Sequence, residues 1–366
     1  MFGRLRKRLG PLAAALIIAA PATVLAQPST IHRIVAVGDL HGDFGAWRAI
    51  ASAAGLIDKQ GRWTGGATVL IQTGDVVDRG PDSLKIIQDL MRLQREAPRA
   101  KGRVITLVGN HEAMNVTDDL RYVSAGDYAA FVEGDSQRLR DAVYASNKTA
   151  IEAAYRQRDP TMTDEAIRKA WIDTTPLGQI EHQRAWHSAG QIGRWVIGNP
   201  AVVLIDGNLF VHGGISPAYA HMQLAEINSK VAAALTTHAT APEAILNDEA
   251  GPLWYRGLAL REGAETAGPP VTPPRTDAET PLAATPLPSV EVQLNDLLKA
   301  FGAKRIVIAH TPILSGIAVL NGGRLVRIDT GISAVYGGKL TYLEIIDGNL
   351  APHVVERPAL GQKGAK

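Results

Sequence analysis

Short apolar segments rich in Val, Ile and Leu recur along the chain, and each is followed by a polar stretch that contains or adjoins glycine. Short runs of this composition, bounded by turn-forming residues, are typical of strands buried in a sheet. Segments with helical spacing lie between them, so the pattern predicts a mixed α/β protein. The predicted strands are 31–37, 68–72, 104–108, 209–211 and 306–309.

Three segments outside the strands differ in character. Residues 81–97 begin with a proline and carry apolar residues on one face, which predicts a helix. Residues 124–195 are rich in Ala, Arg and Gln and predict a helical insertion over the site, with a role in substrate access or selection. Residues 263–288 are crowded with Pro, Thr, Ala and Gly, which predicts a flexible surface loop. The length of 366 residues allows one large domain, predicted at 31–350.

Polar residues that can bind a metal ion or a phosphate follow each predicted strand. Because side chains at the carboxyl ends of neighbouring strands converge on one crevice, these residues predict a single site. Nearly every block has a glycine in it or beside it, where the backbone must turn sharply and a substrate must come close. The blocks are Gly-Asp-Leu-His-Gly-Asp at 38–43, Gly-Asp-Val-Val-Asp-Arg-Gly at 74–80, Gly-Asn-His-Glu at 109–112, His-Gly-Gly at 212–214 and Ala-His-Thr at 309–311.

Oxygen and imidazole ligands in these blocks predict a two-metal site that cleaves phosphate esters. Asp39 and His41 lie two residues apart, so in an extended stretch both can face one cation. Asp75 can offer one oxygen to each of two metal ions and bridge them at roughly 3.5–4 Å. Asp39 could instead cap a helix that begins near Phe44, but the other blocks favour the metal site. The metal-ligand candidates are Asp39, His41, Asp75, Asn110, His212 and His310.

His111 is predicted to be catalytic and not a ligand, because an imidazole beside the metal ions can protonate the departing oxygen. Asp78 is the candidate that binds the other ring nitrogen and fixes the tautomer. Arg79 is a planar, permanently charged fork that suits two phosphate oxygens. The ordinary alternatives are a structural histidine for His111 and a surface arginine paired with Asp82 for Arg79. His182, His187, His221 and His238 are interpreted as ordinary histidines.

The first 26 residues have the features of a secretory signal peptide: a basic start, an apolar stretch at 12–20 and a small-residue ending before Gln27. The alternative is an uncleaved membrane anchor, but the apolar stretch is shorter than the roughly 20 residues that a spanning helix needs. The chain contains no cysteine, so neither a disulfide nor a thiolate is available. These features predict a periplasmic protein without a stable membrane anchor.

The overall charge does not indicate a nucleic-acid-binding protein. The formal net charge of +2 includes Arg4, Arg6, Lys7 and Arg8, and removal of these four positive charges with the signal peptide leaves −2. A nucleic-acid-binding surface normally carries clustered positive charge. The sequence therefore predicts no DNA or RNA partner.

The five blocks resemble the signature of the phosphoprotein phosphatase superfamily of binuclear metallophosphoesterases. The stretch Gly-Asn-His-Glu-Ala-Met-Asn at 109–115, followed by Asp119, Arg121 and Tyr122, is similar to the bacterial Shewanella-like protein phosphatases in particular. The resemblance implies the calcineurin-like fold, a four-layer αββα sandwich. It also implies a phosphatase that acts on phosphorylated proteins, while small phosphate esters stay open as substrates for a periplasmic enzyme. Two divalent cations in such a site would activate a bridging water as the nucleophile.

The resemblance assigns roles to the candidate residues. It implies that Asp39, His41 and Asp75 hold one metal ion, and that Asp75, Asn110, His212 and His310 hold the other. His111 resembles the general acid, with Asp78 as its partner. Arg79 and Asn110 resemble phosphate-binding residues, and Arg256 is the candidate for the second phosphate-binding arginine. The expected ions are manganese or iron, with zinc as a further candidate.

At two points the sequence differs from related groups of metallophosphoesterases, which limits the groups that it resembles. Many generic metallophosphoesterases carry a histidine two residues after the position of His310, but this chain has Pro312 there. The Ser-Ala-Pro-Asn-Tyr segment of eukaryotic serine/threonine phosphatases is also missing.

Two other functions stay open: a symmetrical dinucleoside polyphosphate hydrolase and a non-catalytic metal-binding module. The aromatic residues Tyr122, Tyr128, Phe131 and Trp186 could line a pocket for aromatic substrates or form the small core of the insertion, which is the favoured interpretation.

Overall fold

The computed structural model describes residues 32–261 and 288–357. Within them the chain forms two five-stranded sheets, and the five predicted strands are confirmed as β1, β2, β3, β5 and β6. The strands are β1 (Arg33–Val37), β2 (Val69–Gln72), β3 (Arg103–Thr106), β4 (Val202–Ile205), β5 (Asn208–Val211), β6 (Arg305–Ile308), β7 (Ala318–Leu320), β8 (Leu325–Arg327), β9 (Leu340–Ile346) and β10 (Asn349–Val355).

Each sheet has three parallel strands at its centre or edge. The first has the order β10-β9-β1-β2-β3, in which β1, β2 and β3 are parallel and β9 and β10 are antiparallel additions. The second has the order β4-β5-β6-β8-β7, in which β5, β6 and β8 are parallel. The polar loops that follow β1, β2, β3, β5 and β6 therefore leave parallel strands at their carboxyl ends.

Ten α-helices occur in the described residues. Five of them, α4 to α8, begin within residues 124–195, the segment for which the sequence predicts a helical insertion. The helices are α1 (Phe44–Ala53), α2 (Ser83–Glu96), α3 (Asn110–Val116), α4 (Ala125–Ala129), α5 (Ser136–Arg158), α6 (Asp164–Thr174), α7 (Gln179–Trp186), α8 (Gln191–Ile197), α9 (Leu224–Thr236) and α10 (Val290–Phe301).

The two sheets pack face to face, with helices outside each sheet. Alternate residues of a strand point to opposite faces, so Ile34 and Ala36 of β1 lie in the core between the sheets with Phe210 and Val307. The strand residues that alternate with these core residues point to the outer face of each sheet. On the first sheet these contact α1 and α2, and on the second they contact α9 and α10. This four-layer αββα arrangement is the calcineurin-like fold that the resemblance implies.

Helix starts near the site differ from the sequence prediction in detail. Helix α1 does begin at Phe44, but its cap is Asp43, whose Oδ1 accepts a hydrogen bond from Ala46 N at 2.9 Å. Asp39 is therefore not the cap. Helix α2 begins at Ser83, two residues after Pro81, because the chain from 78 to 82 forms a tight loop.

Some sequence predictions lie outside the described residues. These are the signal peptide at 1–26 and all but the last residue of the proposed flexible loop at 263–288. Among the described residues, no helix is both long enough and apolar enough to cross a membrane.

Candidate functional site

The five loops bring the predicted residues together at one edge of the sandwich. The two sheets contribute to it jointly, since His310 N, after β6, lies 3.4 Å from Asp39 Oδ1, after β1. All eight side chains are buried, and at most 6% of the surface of each residue is exposed to solvent. The buried residues are Asp39, His41, Asp75, Asp78, Asn110, His111, His212 and His310.

The backbone of these loops is strained. Five of the site residues have a positive φ, between 41° and 69°, which costs a side-chain-bearing residue about 1–3 kcal/mol each. The first two loops also touch backbone to backbone: a Cβ atom on Gly42 would lie 2.5 Å from the carbonyl oxygen of Gly80. Such strain is typical of functional sites, where packing holds the loops in place. The residues with positive φ are His41, Asp75, Asp78, Arg79 and His310.

One group of possible metal ligands surrounds His212. Its Nε2 lies 3.0 Å from Asn110 Oδ1, 3.2 Å from His310 Nδ1 and 3.3 Å from Asp75 Oδ2. Its Nδ1 faces the carbonyl oxygen of Thr73 at 2.9 Å, which makes Nδ1 the protonated nitrogen. The Nε2 lone pair therefore points at other lone pairs, an arrangement that a cation stabilises. Asp75, His212 and His310 satisfy the spacing of a metal site.

A second group surrounds His41. Its Nδ1 faces the carbonyl oxygen of Val77 at 3.0 Å, so its Nε2 is again the free acceptor. This Nε2 lies 3.8 Å from Asp75 Oδ2 and 3.9 Å from Asp39 Oδ2. His41, Asp75 and His111 also satisfy the spacing of a metal site. Asp75 belongs to both groups, as a bridging ligand must.

Electrostatics favour the metal-binding form of three residues in the two groups. Burial, with the positive charge of Arg256, lowers the pKa of His310, and burial, with His111, lowers the pKa of His41 to about 3, so both rings are neutral. Burial opposes ionisation of Asp75, but the neighbouring histidines outweigh it and hold its pKa well below the usual value. Neutral imidazoles and an ionised carboxylate are the forms that bind metal ions. At His212 burial lowers the pKa, but the charge of Asp75 outweighs it and holds the pKa above its ordinary value.

His111 is held by Asp78. The ring Nδ1 lies 2.6 Å from Asp78 Oδ2, and Asn115 donates to the other oxygen, Asp78 Oδ1, at 2.9 Å. Burial lowers the pKa of His111, but the charges of Asp75 and Asp78 outweigh it, so the pKa lies above its ordinary value. The ring can therefore carry a proton close to the possible metal ligands.

Two arginines approach the site from different sides. The guanidinium of Arg79 lies 4.3 Å from the ring centre of Tyr122 and 5.5 Å from that of Tyr336. Asp82, considered as a partner for Arg79, instead pairs with Lys85 at 2.6 Å. Arg256 lies near the His310 loop, with its Nη1 3.5 Å from the carbonyl oxygen of His310.

The structure adds three residues that sequence reasoning missed. Glu112 accepts hydrogen bonds from the backbone N–H groups of Gly109, Asp75 and Val76, each at 2.8 Å, and so ties the second loop to the third. Burial and the charge of Asp75 raise its pKa to about 7. Its position in the Gly-Asn-His-Glu block was the available signal.

The other two missed residues follow β8. Asp329 is buried beside Asp39, and together with burial its charge raises the pKa of Asp39 well above the usual value. The ring of Tyr336 lies 5.3 Å from that of His41. The sequence contained a signal for Asp329. Like Asp39 and Asp75, it follows a mainly apolar segment and lies close to a glycine, here in Asp-Thr-Gly.

The four aromatic residues considered as a pocket lining, Tyr122, Tyr128, Phe131 and Trp186, divide into two sets. Tyr122 lies at the site, with its ring 5.1 Å from that of His111. Tyr128, Phe131 and Trp186 instead surround the ring of His182, at centroid distances of 5.4, 5.1 and 5.8 Å. His182 is buried, and burial lowers its pKa to about 4. These three residues form a small core between helices, and Tyr122 is the one of the four that lies at the site.

Comparison with known proteins agrees with the geometry. A family model for calcineurin-like phosphoesterases matches residues 32–314. This chain belongs to the calcineurin-like phosphoesterase family. The phosphoesterase is therefore a metal-dependent hydrolase of phosphate esters, and it contains two groups of histidines and aspartates that could hold divalent metal ions.

Individual relatives support the more specific resemblance. The phosphoesterase is 32% identical over 309 residues to Shewanella-like protein phosphatase 2 of Arabidopsis thaliana, covering 82% of this chain and 72% of the relative. It is 30% identical over 322 residues to an uncharacterised protein of Schizosaccharomyces pombe, covering 85% and 76%. The crystal structure of a cold-active protein-tyrosine phosphatase from a Shewanella species shares the fold, with a TM-score of 0.60 and 21% identity over 89% of this chain and 81% of that one.

Proposed function

We propose that this phosphoesterase is a binuclear-metal phosphomonoesterase that acts on phosphorylated proteins or small phosphate esters, with His111 as general acid. The observation that carries the proposal is the 2.6 Å contact between His111 Nδ1 and Asp78 Oδ2. It leaves His111 Nε2 free, 3.9 Å from Asp75 Oδ2, beside the metal-ligand groups. A proton donor fixed at this position is what cleavage of a phosphate monoester with a poor leaving group needs.

The ligand atoms support two metal sites that share Asp75. Its Oδ2 is 3.8 Å from His41 Nε2 and 3.3 Å from His212 Nε2. Asp39 and His41 would complete one site, and the other would be completed by Asn110, His212 and His310. When bound, two divalent cations supply activation of water at neutral pH and neutralise phosphate charge. We propose manganese or iron, with zinc as a further candidate.

The remaining residues bind the phosphate and move the proton. Arg79 and Arg256 would each pair with phosphate oxygens, and Asn110 would contact the same group. His111 would give its Nε2 proton to the departing oxygen, while Asp78 keeps the ring oriented and stabilises its charged form. The products are inorganic phosphate and the free alcohol or phenol.

Names of the relatives support phosphoproteins as the first substrates to test. The Arabidopsis relative is called a protein phosphatase, and the Shewanella structure is that of a protein-tyrosine phosphatase. We propose phosphotyrosine as the first residue to test. An aryl phosphate whose leaving oxygen approaches His111 would bring its aromatic ring towards Tyr122, whose ring lies 5.1 Å from that of His111.

We also propose that the protein is exported to the periplasm. The support is the basic, apolar and small-residue order of residues 1–26, typical of a cleaved signal peptide. Expression of the full chain in a Gram-negative host should yield a periplasmic protein whose first residue is Gln27. Retention of residues 1–26 in the membrane fraction would instead support an anchor.

Product analysis tests the reaction. We expect the manganese-supplied protein to release inorganic phosphate from para-nitrophenyl phosphate and from a phosphotyrosine peptide. Cleavage of diadenosine tetraphosphate into two diphosphates, without activity on the monoesters, would contradict the proposal and support the dinucleoside polyphosphate hydrolase. A protein that binds metal but cleaves none of these would support the non-catalytic module.

A further inference from the structure

The start of the helical segment is bonded to the loop that carries Arg79. Arg79 N donates to the carbonyl oxygen of Tyr122 at 3.0 Å. Ser124 Oγ lies 3.0 Å from the carbonyl oxygen of Gly80 and can donate to it. Ser83 N, at the first residue of α2, donates to Asp127 Oδ1 at 3.2 Å. Residues 122–127, here called the brace, therefore contact the start, middle and end of the 79–83 loop.

This loop needs external support. Asp78 and Arg79 are consecutive residues with φ of 69° and 67°, a conformation that residues other than glycine rarely adopt. Without contacts to another segment, the loop would relax out of this conformation, and the Arg79 side chain would turn away from the site. Asp78 is tied indirectly to the same support, because its N–H donates to Ser83 Oγ at 3.1 Å while Ser83 N–H is held by Asp127.

The brace also supports the Arg79 side chain. The Tyr122 ring lies under the guanidinium at 4.3 Å, and Tyr336 lies on another side at 5.5 Å. Arg79 Nε is buried and has no hydrogen-bond partner among the described residues. A cation held by aromatic rings keeps its N–H donors available for an anion.

Packing between the brace and the loop is close. Gly126 lies directly against Pro81, so a Cβ atom at position 126 would lie 2.3 Å from Pro81 Cβ. A side chain there would push the brace off the loop without removing any of its hydrogen-bonding groups. Ser124 and Asp127 bond to each other as well, since Asp127 N donates to Ser124 Oγ at 3.1 Å. The brace is thus a small folded unit pressed against the loop.

We propose that the brace is a positioning device for phosphate binding, in which Ser124 and Asp127 hold the strained 78–80 backbone and Tyr122 holds the Arg79 guanidinium. This inference rests on the proposed function to the extent that Arg79 binds a phosphate. It gives the start of the helical segment a mechanical role. Loss of the brace weakens phosphate binding more than it slows turnover.

Ser124→Ala and Gly126→Ala test the proposal. We expect each to raise the KM for para-nitrophenyl phosphate and the inhibition constant of inorganic phosphate by about fivefold or more, and to lower kcat by a smaller factor, because Asp78, which orients His111, is tied to the brace only indirectly. Ser124→Thr keeps the hydroxyl group and should restore most of the affinity. Ser146→Ala, on the exposed surface of α5, is the matched control.

A double-mutant cycle separates positioning from general destabilisation. If Ser124 acts through Arg79, Ser124→Ala should add little to the KM of Arg79→Ala, and the two effects should not multiply. Independent, multiplicative effects on KM would overturn the proposal. So would an unchanged KM in both Ser124→Ala and Gly126→Ala.

Amide hydrogen exchange gives a readout that does not need activity. The peptide that contains residues 78–83 should exchange faster in Ser124→Ala than in the wild type or in Ser124→Thr. Unchanged exchange would contradict the brace even in an inactive protein. A wild-type protein without phosphatase activity, but with faster exchange in Ser124→Ala, would overturn the proposed function and leave the mechanical role of the brace standing.

Discussion

His111 Nδ1 lies 2.6 Å from Asp78 Oδ2, and Asn115 donates to the second oxygen of the same carboxylate. Both oxygens of Asp78 are thus engaged by residues of α3. The imidazole cannot rotate without breaking the shorter contact, so its Nε2 stays directed towards the metal-ligand groups. This pair connects the fold to the proposed proton transfer.

Replacement of His111 by Asn should slow the reaction in a way that depends on the leaving group. An alkoxide needs a proton more than a nitrophenoxide does, so we expect kcat to fall by about 10³-fold for an alkyl phosphate and much less for para-nitrophenyl phosphate. The measurement is kcat across a series of phosphate esters of increasing leaving-group pKa. His221→Asn, an exposed histidine, is the control. Equal turnover of aryl and alkyl esters by His111→Asn at the wild-type rate would exclude the general-acid role.

The two arginines should both affect phosphate binding. Arg79 lies by Tyr122 and Tyr336, and Arg256 lies by the His310 loop, so each approaches the cluster from its own side. We expect Arg79→Ala and Arg256→Ala each to raise the inhibition constant of inorganic phosphate about tenfold, because each loses a charge-assisted contact. Arg138→Ala on α5 is the control. If Arg256→Ala kept the wild-type inhibition constant for inorganic phosphate, Arg256 would not be a phosphate-binding residue.

Sequence patterns located the polar blocks and five of the six parallel strands because both are local features. The sixth, β8, was missed because it is only three residues long and contains Arg327. A buried parallel strand is a short apolar run, and the loop after it carries its own chemistry. The antiparallel additions were missed, although Asp347-Gly348 between β9 and β10 is a strong hairpin signal. Strand β10 has alternating burial and contains Pro352, so it lacks the apolar run on which the prediction relied.

Contacts between distant segments could not be predicted in the same way. The bonds from Glu112 to the backbone at Asp75 and Val76 join residues 36 and 37 positions apart. The approach of Tyr336 to His41 joins opposite ends of the domain. Sequence spacing identifies which residues can bind a metal or a phosphate, but only the packed sheets show which other side chains hold them in place.

Glu112 should be important for stability. Its carboxylate accepts three backbone N–H groups in a buried place, and the amide of Gln would present an N–H₂ group to one of these donors. We expect Glu112→Gln to lower the free energy of unfolding by about 2–4 kcal/mol. Urea denaturation of the metal-free protein measures this, with the exposed Glu243→Gln as control. Equal stability of the variant and the wild type would show that these contacts contribute little.

His182 should make stability depend on pH. Its pKa is about 4 in the folded protein and near 6.5 when unfolded, so the unfolded chain binds the extra proton between these values. The stability that neutral His182 allows is fully present above pH 6.5 and is lost as the pH falls towards 4, by on the order of 2 kcal/mol.

His182→Phe tests this dependence, because it keeps an aromatic ring among Tyr128, Phe131 and Trp186 and removes the titrating group. The free energy of unfolding of the variant, relative to the wild type, should rise as the pH is lowered from 7 to 4. His221→Phe, at an exposed position, should show no such trend. A difference between His182→Phe and the wild type that is constant with pH would contradict the prediction.

Metal dependence of catalysis tests the central claim most directly. The protein is stripped of metal, resupplied with manganese and assayed with para-nitrophenyl phosphate, with Asp75→Asn treated identically. Because Asp75 belongs to both ligand groups, we predict that metal restores activity in the wild type and that the variant stays inactive while remaining folded. Full activity of the metal-free wild type, or restored activity in Asp75→Asn, would contradict a binuclear site bridged by this residue.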